Sequence, residues 1–238
     1  MRTTLKLSGL LGLVVGIYAL GVRPRLLRWG ATDEEVRRRY PGDDVIPGGT
    51  RSATMAVTID AAPEQVWPWL VQMGTDRAGW YSWDRLDNWG RRSAARIHPE
   101  WQTIALGDRL SSVPDGSIWW EVAVLEPQIY LRLRTSLDLR CRPFHPTGPW
   151  PRYFTDSLWG FLLEEAPGRR TRLVVSGFWC LQPRWLQPIM SVLFLELQHW
   201  IMQTRQFSNL KRLVASAAPA SQDLEQVAQP ITTGAGIR

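Results

Sequence analysis

The chain has 238 residues, 45% of them hydrophobic and 21% charged, and a formal net charge of +6. This composition excludes a disordered or fibrous chain and predicts one globular domain with appendages. A composition rich in arginine and tryptophan is compatible with nucleic-acid binding. The sequence contains no motif of a known groove-reading or base-stacking domain, so we expect no nucleic-acid partner. We interpret the positive charge as affinity for an anionic membrane surface. The 14 tryptophans can build a large core and line a cavity with rings.

The N-terminus carries an apolar run from Leu7 to Val22, roughly 16 residues and just short of a typical membrane span. Residues 1–28 are predicted to be an uncleaved, single-pass membrane anchor. A cleaved signal peptide, with Ala19-Leu20-Gly21 as a weak cleavage site, stays open as the alternative. Both flanks are positive, and the additional arginines at 37–39 favour a cytoplasmic body.

Residues 29–51 are predicted to form a polar linker that lies against the domain. Within it, Thr32 and Glu35 have the spacing of a capping box at the start of a short helix. Alternation and turn residues then predict a series of strands. The predicted strands are Thr54–Asp60, Trp101–Ser112 with an end at Gly107-Asp108, Ile118–Leu125, Ile129–Thr135, Ser157–Glu165 and Thr171–Phe178.

Between the first two strands, helical spacing of apolar residues predicts a helix with one buried face. Pro63 suits its first position, and Pro68 is expected to bend it. A second short helix is predicted over Trp83–Trp89. The last helix is predicted from about Arg184 to Val214; a transmembrane interpretation of Trp185–Met202 is less favoured, because its polar residues would be costly in lipid. Residues 215–238 are predicted to be a disordered tail.

Four stretches resemble the SRPBCC superfamily of START-like and Bet v1-like proteins, often labelled polyketide cyclase/dehydrase, and in particular a membrane-anchored bacterial branch. These stretches are residues 57–74, 79–88, 96–102 and 107–108, and the resemblance covers roughly residues 50–214. It implies an α+β, helix-grip architecture, in which a curved antiparallel sheet surrounds a long C-terminal helix and encloses an apolar cavity. The predicted ligand-binding domain is residues 52–214.

Metal, phosphate and nucleophile motifs are absent from the sequence. Cys141 and Cys180 lack metal-ligand spacing and are interpreted as reduced packing residues. The three histidines are scattered, and neither a phosphate-binding glycine loop nor a nucleophilic serine motif is present. We therefore expect no metal and no cofactor, and the catalytic residues, like the oligomeric state, stay unknown.

Aromatic and polar residues near the first helix and on the last helix are the candidates for contact with a ligand. Tyr81 and Asp84 lie three residues apart, so in a helical turn they would face the same way, although hydrogen bonding within their own loop is the simpler role. His199 on the last helix is the preferred polar contact. The predicted ligand-binding residues are Trp69, Tyr81, Trp83, Asp84, His98, Trp119 and His199.

Three functions remain open. The first is membrane-tethered binding of a hydrophobic small molecule or lipid in the internal cavity. The second is a polyketide cyclase, aromatase or dehydratase, with Tyr81, Asp84 or His199 as acid–base group. The third is a membrane-proximal interaction protein whose cavity is vestigial, which predicts a tightly packed interior.

Overall fold

The computed structural model describes the backbone of residues 16–227 and the side chains of residues 16–217. Its centre is a six-stranded antiparallel sheet in the order β1-β6-β5-β4-β3-β2. The strands are β1 (Thr50–Ile59), β2 (Arg109–Ser111), β3 (Trp119–Glu126), β4 (Tyr130–Asp138), β5 (Phe154–Ala166) and β6 (Arg170–Gln182). The helices are α1 (Arg23–Leu27), α2 (Asp33–Arg37), α3 (Pro63–Val71), α4 (Asp84–Asp87), α5 (Leu186–Met190) and α6 (Glu196–Val227).

The curved sheet and the long C-terminal helix confirm the α+β, helix-grip architecture that the resemblance implies. The main core lies between the sheet and two helices, α3 and α6. It includes Trp69 and Leu70 from α3, Phe161 from β5, and Phe207 and Leu210 from α6, none more than 1% exposed. Burial of these side chains is what holds the helices against the sheet, at about 25 cal/mol for each Å² of apolar surface removed from water.

Five of the six predicted strands are present, with ends displaced by a few residues. The prediction for Trp101–Ser112 is wrong over most of its length, because only Arg109–Ser111 pairs with the sheet. The side-chain amide of Gln102 donates to the carbonyls of Pro68 and His98 and to Oε1 of Gln72. These bonds tie the segment to α3 and keep it out of the sheet.

The predicted linker forms the outer layer of the domain. Thr32 and Glu35 make the expected capping box at the start of α2. Glu35 is 6% exposed and forms a two-pronged ion pair with Arg172 on β6, while the fully buried Arg132 on β4 pairs with Asp43. Since β1 begins at Thr50, the domain boundary predicted at residue 52 lies inside a strand.

Two terminal predictions fall partly outside the described residues. No helix within residues 16–227 is both long and apolar enough to cross a membrane, and residues 1–15, which hold most of the predicted anchor, are not described. The last helix continues past Val214 to Val227, where a disordered tail is predicted, and residues 228–238 are again not described. π-helical turns at Tyr18–Val22 and Ser191–Leu195 lead into α1 and α6.

Helix α3 runs through Pro68 to Val71. Pro68 removes the hydrogen bond to the carbonyl of Glu64, which is an exposed residue, so that the proline is tolerated on the outer side of the helix. Pro63 occupies the start of the helix as predicted. The short helix predicted over Trp83–Trp89 is present as α4, over the narrower range Asp84–Asp87.

Candidate functional site

A cavity of about 430 Å³ lies between the inner face of the sheet and the first turns of α6. Aromatic rings form much of its wall, with Trp80 and Trp120 packing against Trp159 at centroid distances of 5.5 and 5.6 Å. Phe178 and Trp179 of β6 complete the aromatic lining. A cavity of this size differs from the packed interior that a vestigial-cavity interaction protein predicts.

Strand alternation places the lining residues of β5. Thr155, Ser157 and Trp159 are two residues apart and all line the cavity, because every second side chain of a strand lies on the same face. Trp159 is paired across the sheet with Gly177 of β6, which has no side chain to compete for this space. The sheet thus supplies one large ring with two hydroxyls beside it.

Helix α6 contributes polar residues at helical spacing, and several are hydrogen-bonded within the protein. The indole Nε1 of Trp159 donates to Oε1 of Gln203 at 3.3 Å, and Nε2 of Gln203 donates to Oε1 of Gln206 at 2.7 Å. Nε2 of Gln206 donates to the carbonyl of Trp80 at 2.8 Å. This chain of bonds joins the helix to two of the rings and fixes the inner end of the cavity.

Glu196, at the first turn of α6, lines the cavity and is 7% exposed. Its carboxylate accepts two hydrogen bonds from Arg23 of α1, at 2.7 and 2.8 Å. This ion pair raises the pKa of the Arg23 guanidinium. The pair holds α1 beside α6 and brings Leu27, at the end of α1, into the cavity wall.

Three lining side chains carry buried polar atoms for which residues 16–217 provide no hydrogen-bond partner. These atoms are both carboxylate oxygens of Asp87, Oγ1 of Thr135 and Nε2 of His199. Burial, with a smaller contribution from the neighbouring Asp84, raises the pKa of Asp87 to about 6, against smaller lowering effects of the Asp87 backbone N–H and the nearby Ser82 hydroxyl. That hydroxyl donates to the carbonyl of Met202, so it does not supply Asp87 with a partner. Burial also lowers the pKa of His199 to about 4. At neutral pH His199 is therefore uncharged and Asp87 is mostly ionised.

Of the seven residues predicted to contact a ligand, His199 lines this cavity and the other six lie outside its lining. Trp69 and Tyr81 are core residues, 1% exposed, with their rings edge to face at 5.9 Å. Tyr81 has a positive φ of 58°, and its hydroxyl accepts from Nε2 of Gln72. Burial raises the pKa of Tyr81, so its hydroxyl is protonated at neutral pH and is not a base.

Trp83 and Asp84 organise the loop that covers one side of the cavity. Oδ1 of Asp84 accepts from both the backbone N–H and the hydroxyl of Ser93, at 3.0 and 2.7 Å. Nε1 of Trp83 donates to the carbonyl of Ile201, and the guanidinium of Arg205 lies over the same ring at 4.9 Å. This is the loop-bonding role that the sequence offered as the simpler alternative for Asp84.

His98 and Trp119 lie away from the large cavity. Nδ1 of His98 is 3.1 Å from Oε1 of Glu100, and its ring stacks on Trp101. Trp119 lies under the guanidinium of Arg109 at 4.3 Å. Ligand contact by the six residues outside the lining stays a prediction without support from their positions.

Several lining residues were not predicted from the sequence. Asp87 was not predicted to line the cavity, because nothing in the sequence of a short polar helix shows which carboxylate faces inward. Strand alternation predicts which residues share a face with Trp159 or with Thr135. It does not show which face of the sheet lines the cavity. Trp120 could not be told from its neighbour Trp119 by sequence, and only its packing against Trp159 in the cavity wall identifies it.

No family model matches the sequence, and no curated protein matches it. Among solved structures, the chain is similar to Ara h 8.0201, with 13% identity, coverage of 71% of this chain and 99% of that chain, and a TM-score of 0.39. A protein from Arthrobacter aurescens shares 14% identity, with 78% and 92% coverage and a TM-score of 0.39. A protein from Mesorhizobium loti shares 20% identity, with 68% and 97% coverage and a TM-score of 0.37.

The fold is helix-grip. That assignment rests on the strand order and on the long C-terminal helix that packs across the sheet. A fold of this kind hosts many functions, so the function has to be argued from the cavity itself.

Proposed function

We propose that this protein binds a mainly apolar small molecule in its internal cavity while it is held at a membrane. The observation that supports ligand binding is the cavity of about 430 Å³, whose wall combines Trp80, Trp120 and Trp159 with a few polar groups. This volume lies in the range of about 300–1,000 Å³ that is usual for small-molecule sites. A ring-bearing ligand or a lipid fragment would gain apolar burial against the tryptophans.

An exposed apolar surface supports the membrane part of the proposal. The chain around α1 and α5 leaves large apolar side chains in solvent, among them Leu20 at 84%, Leu193 at 63% and Phe194 at 58% exposure. The Arg23–Glu196 ion pair holds the two segments side by side. Large apolar side chains that stay exposed on neighbouring segments are typical of an interaction site.

The charge and position of this surface favour a lipid bilayer as its partner. The arginines that flank it are exposed, and suit anionic headgroups: they are Arg25, Arg28, Arg184 and Arg205. The exposed apolar residues just before α1, which are Ile17, Leu20 and Val22, also belong to the apolar run that begins at Leu7. Since Leu195 and Gln198 line the cavity from the same segment, a ligand dissolved in the bilayer would enter from this side.

Native mass spectrometry of the full chain, purified from its own host in mild detergent, tests ligand binding. We expect a discrete bound mass that is released on denaturation. An empty protein that also fails to bind added naphthalene derivatives would contradict the proposal.

Fluorescence in vesicles tests the membrane surface. In a Cys141→Ser background, which removes the exposed thiol, a Leu193→Cys variant is labelled with an environment-sensitive dye. We expect quenching by lipids that carry a nitroxide in the acyl chain. The control is Ile129→Cys, a residue of the β3–β4 turn that is 51% exposed. Equal quenching at the two sites would contradict this part of the proposal.

A second candidate is acid–base catalysis on the bound molecule, as in a cyclase or dehydratase. Its supporting observation is that two titratable side chains, Asp87 and His199, line one cavity and are both in the proton-accepting form at neutral pH, so that either can act as a general base. A purified protein that cyclises an added poly-β-keto thioester by intramolecular aldol addition, eliminates the new hydroxyl as water, and loses this activity in Asp87→Asn would favour the enzyme. An unchanged substrate would exclude that reaction.

A further inference from the structure

The unpartnered polar atoms of the cavity indicate what the ligand carries. A buried polar group left without a hydrogen bond destabilises the folded protein, and native proteins leave few of them. Here four such atoms, from Asp87, Thr135 and His199, face one cavity. We infer that the bound molecule is apolar over most of its surface and bears a hydrogen-bond-donating group, a hydroxyl or an amine, that Asp87 accepts. This inference rests on the proposed ligand-binding function.

Contacts between the α4 loop and α6 place Asp87 close to the helix turn that carries His199. The hydroxyl of Ser82 donates to the carbonyl of Met202 at 3.0 Å, and Nε1 of Trp83 donates to the carbonyl of Ile201 at 3.3 Å. Both carbonyls lie within one turn of His199 on α6. Asp87 and His199 therefore belong to the same side of the cavity.

The sheet brings Thr135 toward the same region. Thr135 of β4 pairs with Ser157 of β5, two residues from Trp159. The indole of Trp159 is bonded to Gln203, which is one helical turn after His199. Thr135 therefore lines the sheet side of the same cavity that His199 lines from the helix.

The charges that face Asp87 determine which polar group fits. An ionised carboxylate only accepts hydrogen bonds, so its partner has to donate. Asp84 on its own helix adds negative charge, Glu196 on α6 is already paired with Arg23, and His199 is uncharged at neutral pH. The described lining contains no lysine or arginine, so a ligand carboxylate would meet Asp87 without a compensating cation.

Four naphthalenes that carry their substituent at the same ring position test this inference by calorimetric titration of the full chain. The substituents are hydroxyl, aminomethyl, methyl and carboxylate. We expect the hydroxyl or the aminomethyl compound to bind at least about tenfold more tightly than the methyl compound, because a hydrogen bond to a charged group is worth that much. We expect the carboxylate to bind most weakly. The donor compound that binds more tightly indicates whether the natural ligand is an alcohol or an amine.

Variants of Asp87 test whether this residue causes the preference for the donor compounds over methylnaphthalene. In Asp87→Leu the advantage of the donor compounds over methylnaphthalene is expected to disappear. The matched control, Asp44→Leu, removes an exposed carboxylate away from the cavity and is expected to retain it. Asp87→Asn, which keeps the shape of the side chain, is expected to reduce the advantage and serves if the leucine variant does not fold.

The results distinguish failure of the donor-group inference from failure of the proposed ligand-binding function. Similar affinities for all four compounds, or a donor preference that survives in Asp87→Leu, would overturn the inference and leave ligand binding standing. If none of the four binds, both the inference and the proposed function fail.

Discussion

The most direct test of the cavity's electrostatics is the pH dependence that His199 gives to folding. Its ring Nε2 is buried without a partner among the described side chains, and desolvation lowers the pKa of His199 from 6.5 to about 4. The unfolded chain then binds a proton that the folded protein does not until pH falls to about 4. Above about pH 6.5 the titration of His199 therefore does not lower the free energy of unfolding. As pH falls from there toward 4, the free energy of unfolding decreases progressively.

The expected size follows from the shift. A difference of about 2.5 pKa units corresponds to about 3 kcal/mol, since each unit is worth 1.36 kcal/mol. Relative to His199→Gln, which stays neutral at every pH, the wild-type protein is expected to lose about 3 kcal/mol between about pH 7 and pH 4. Asp87 and Glu196, the other titratable residues of the lining, occur in both proteins and largely cancel in the comparison.

Urea denaturation of the full chain, followed by tryptophan fluorescence at several pH values, measures this difference. Histidine ring NMR gives an independent check, because the chain has only three histidines to assign. A His199 signal that titrates near its ordinary pKa, or equal pH profiles for wild type and His199→Gln, would show that burial does not lower the pKa of His199.

Three further changes probe the same region by urea denaturation. Asp87→Asn is expected to stabilise the protein above about pH 6 by about 1–2 kcal/mol, a value discounted because the residue as a whole is only partly buried. The gain should vanish toward pH 4, and no gain at neutral pH would contradict the raised pKa of Asp87. Arg23→Met is expected to cost about 1–3 kcal/mol by leaving the Glu196 carboxylate unpaired, and adding Glu196→Gln should recover most of this. Gly177→Ala is expected to cost up to about 1 kcal/mol, because its Cβ would overlap the hydroxyl oxygen of Ser52 and force that side chain to rotate. A loss of several kcal/mol would show that Ser52 cannot move.

Much of the architecture follows from local patterns in the chain. Apolar residues at helical spacing determined α3, Thr32 and Glu35 determined the start of α2, and alternation determined most strands, because each of these signals lies within a few residues. The same logic failed at Trp101–Ser112, where the side chain of Gln102 binds α3, a contact between residues about thirty positions apart.

The site was less predictable than the fold. His199 could be singled out because a polar residue on the apolar stripe of a long helix is conspicuous. Tyr81, by contrast, has its hydroxyl bonded to Gln72 inside the core, and Asp84 is bonded to Ser93. A sequence shows that such residues are polar but not which partners satisfy them.

The apolar N-terminal run, the tryptophan-rich composition, the order of most elements and the long final helix can be read from the chain, because composition and periodicity are local properties. The tertiary structure alone decided that Asp87, Thr135 and His199 share one cavity with unpartnered atoms, while Trp69 and Tyr81 lie in the core. The physical reason is that enclosure and hydrogen-bond satisfaction depend on pairing between distant segments.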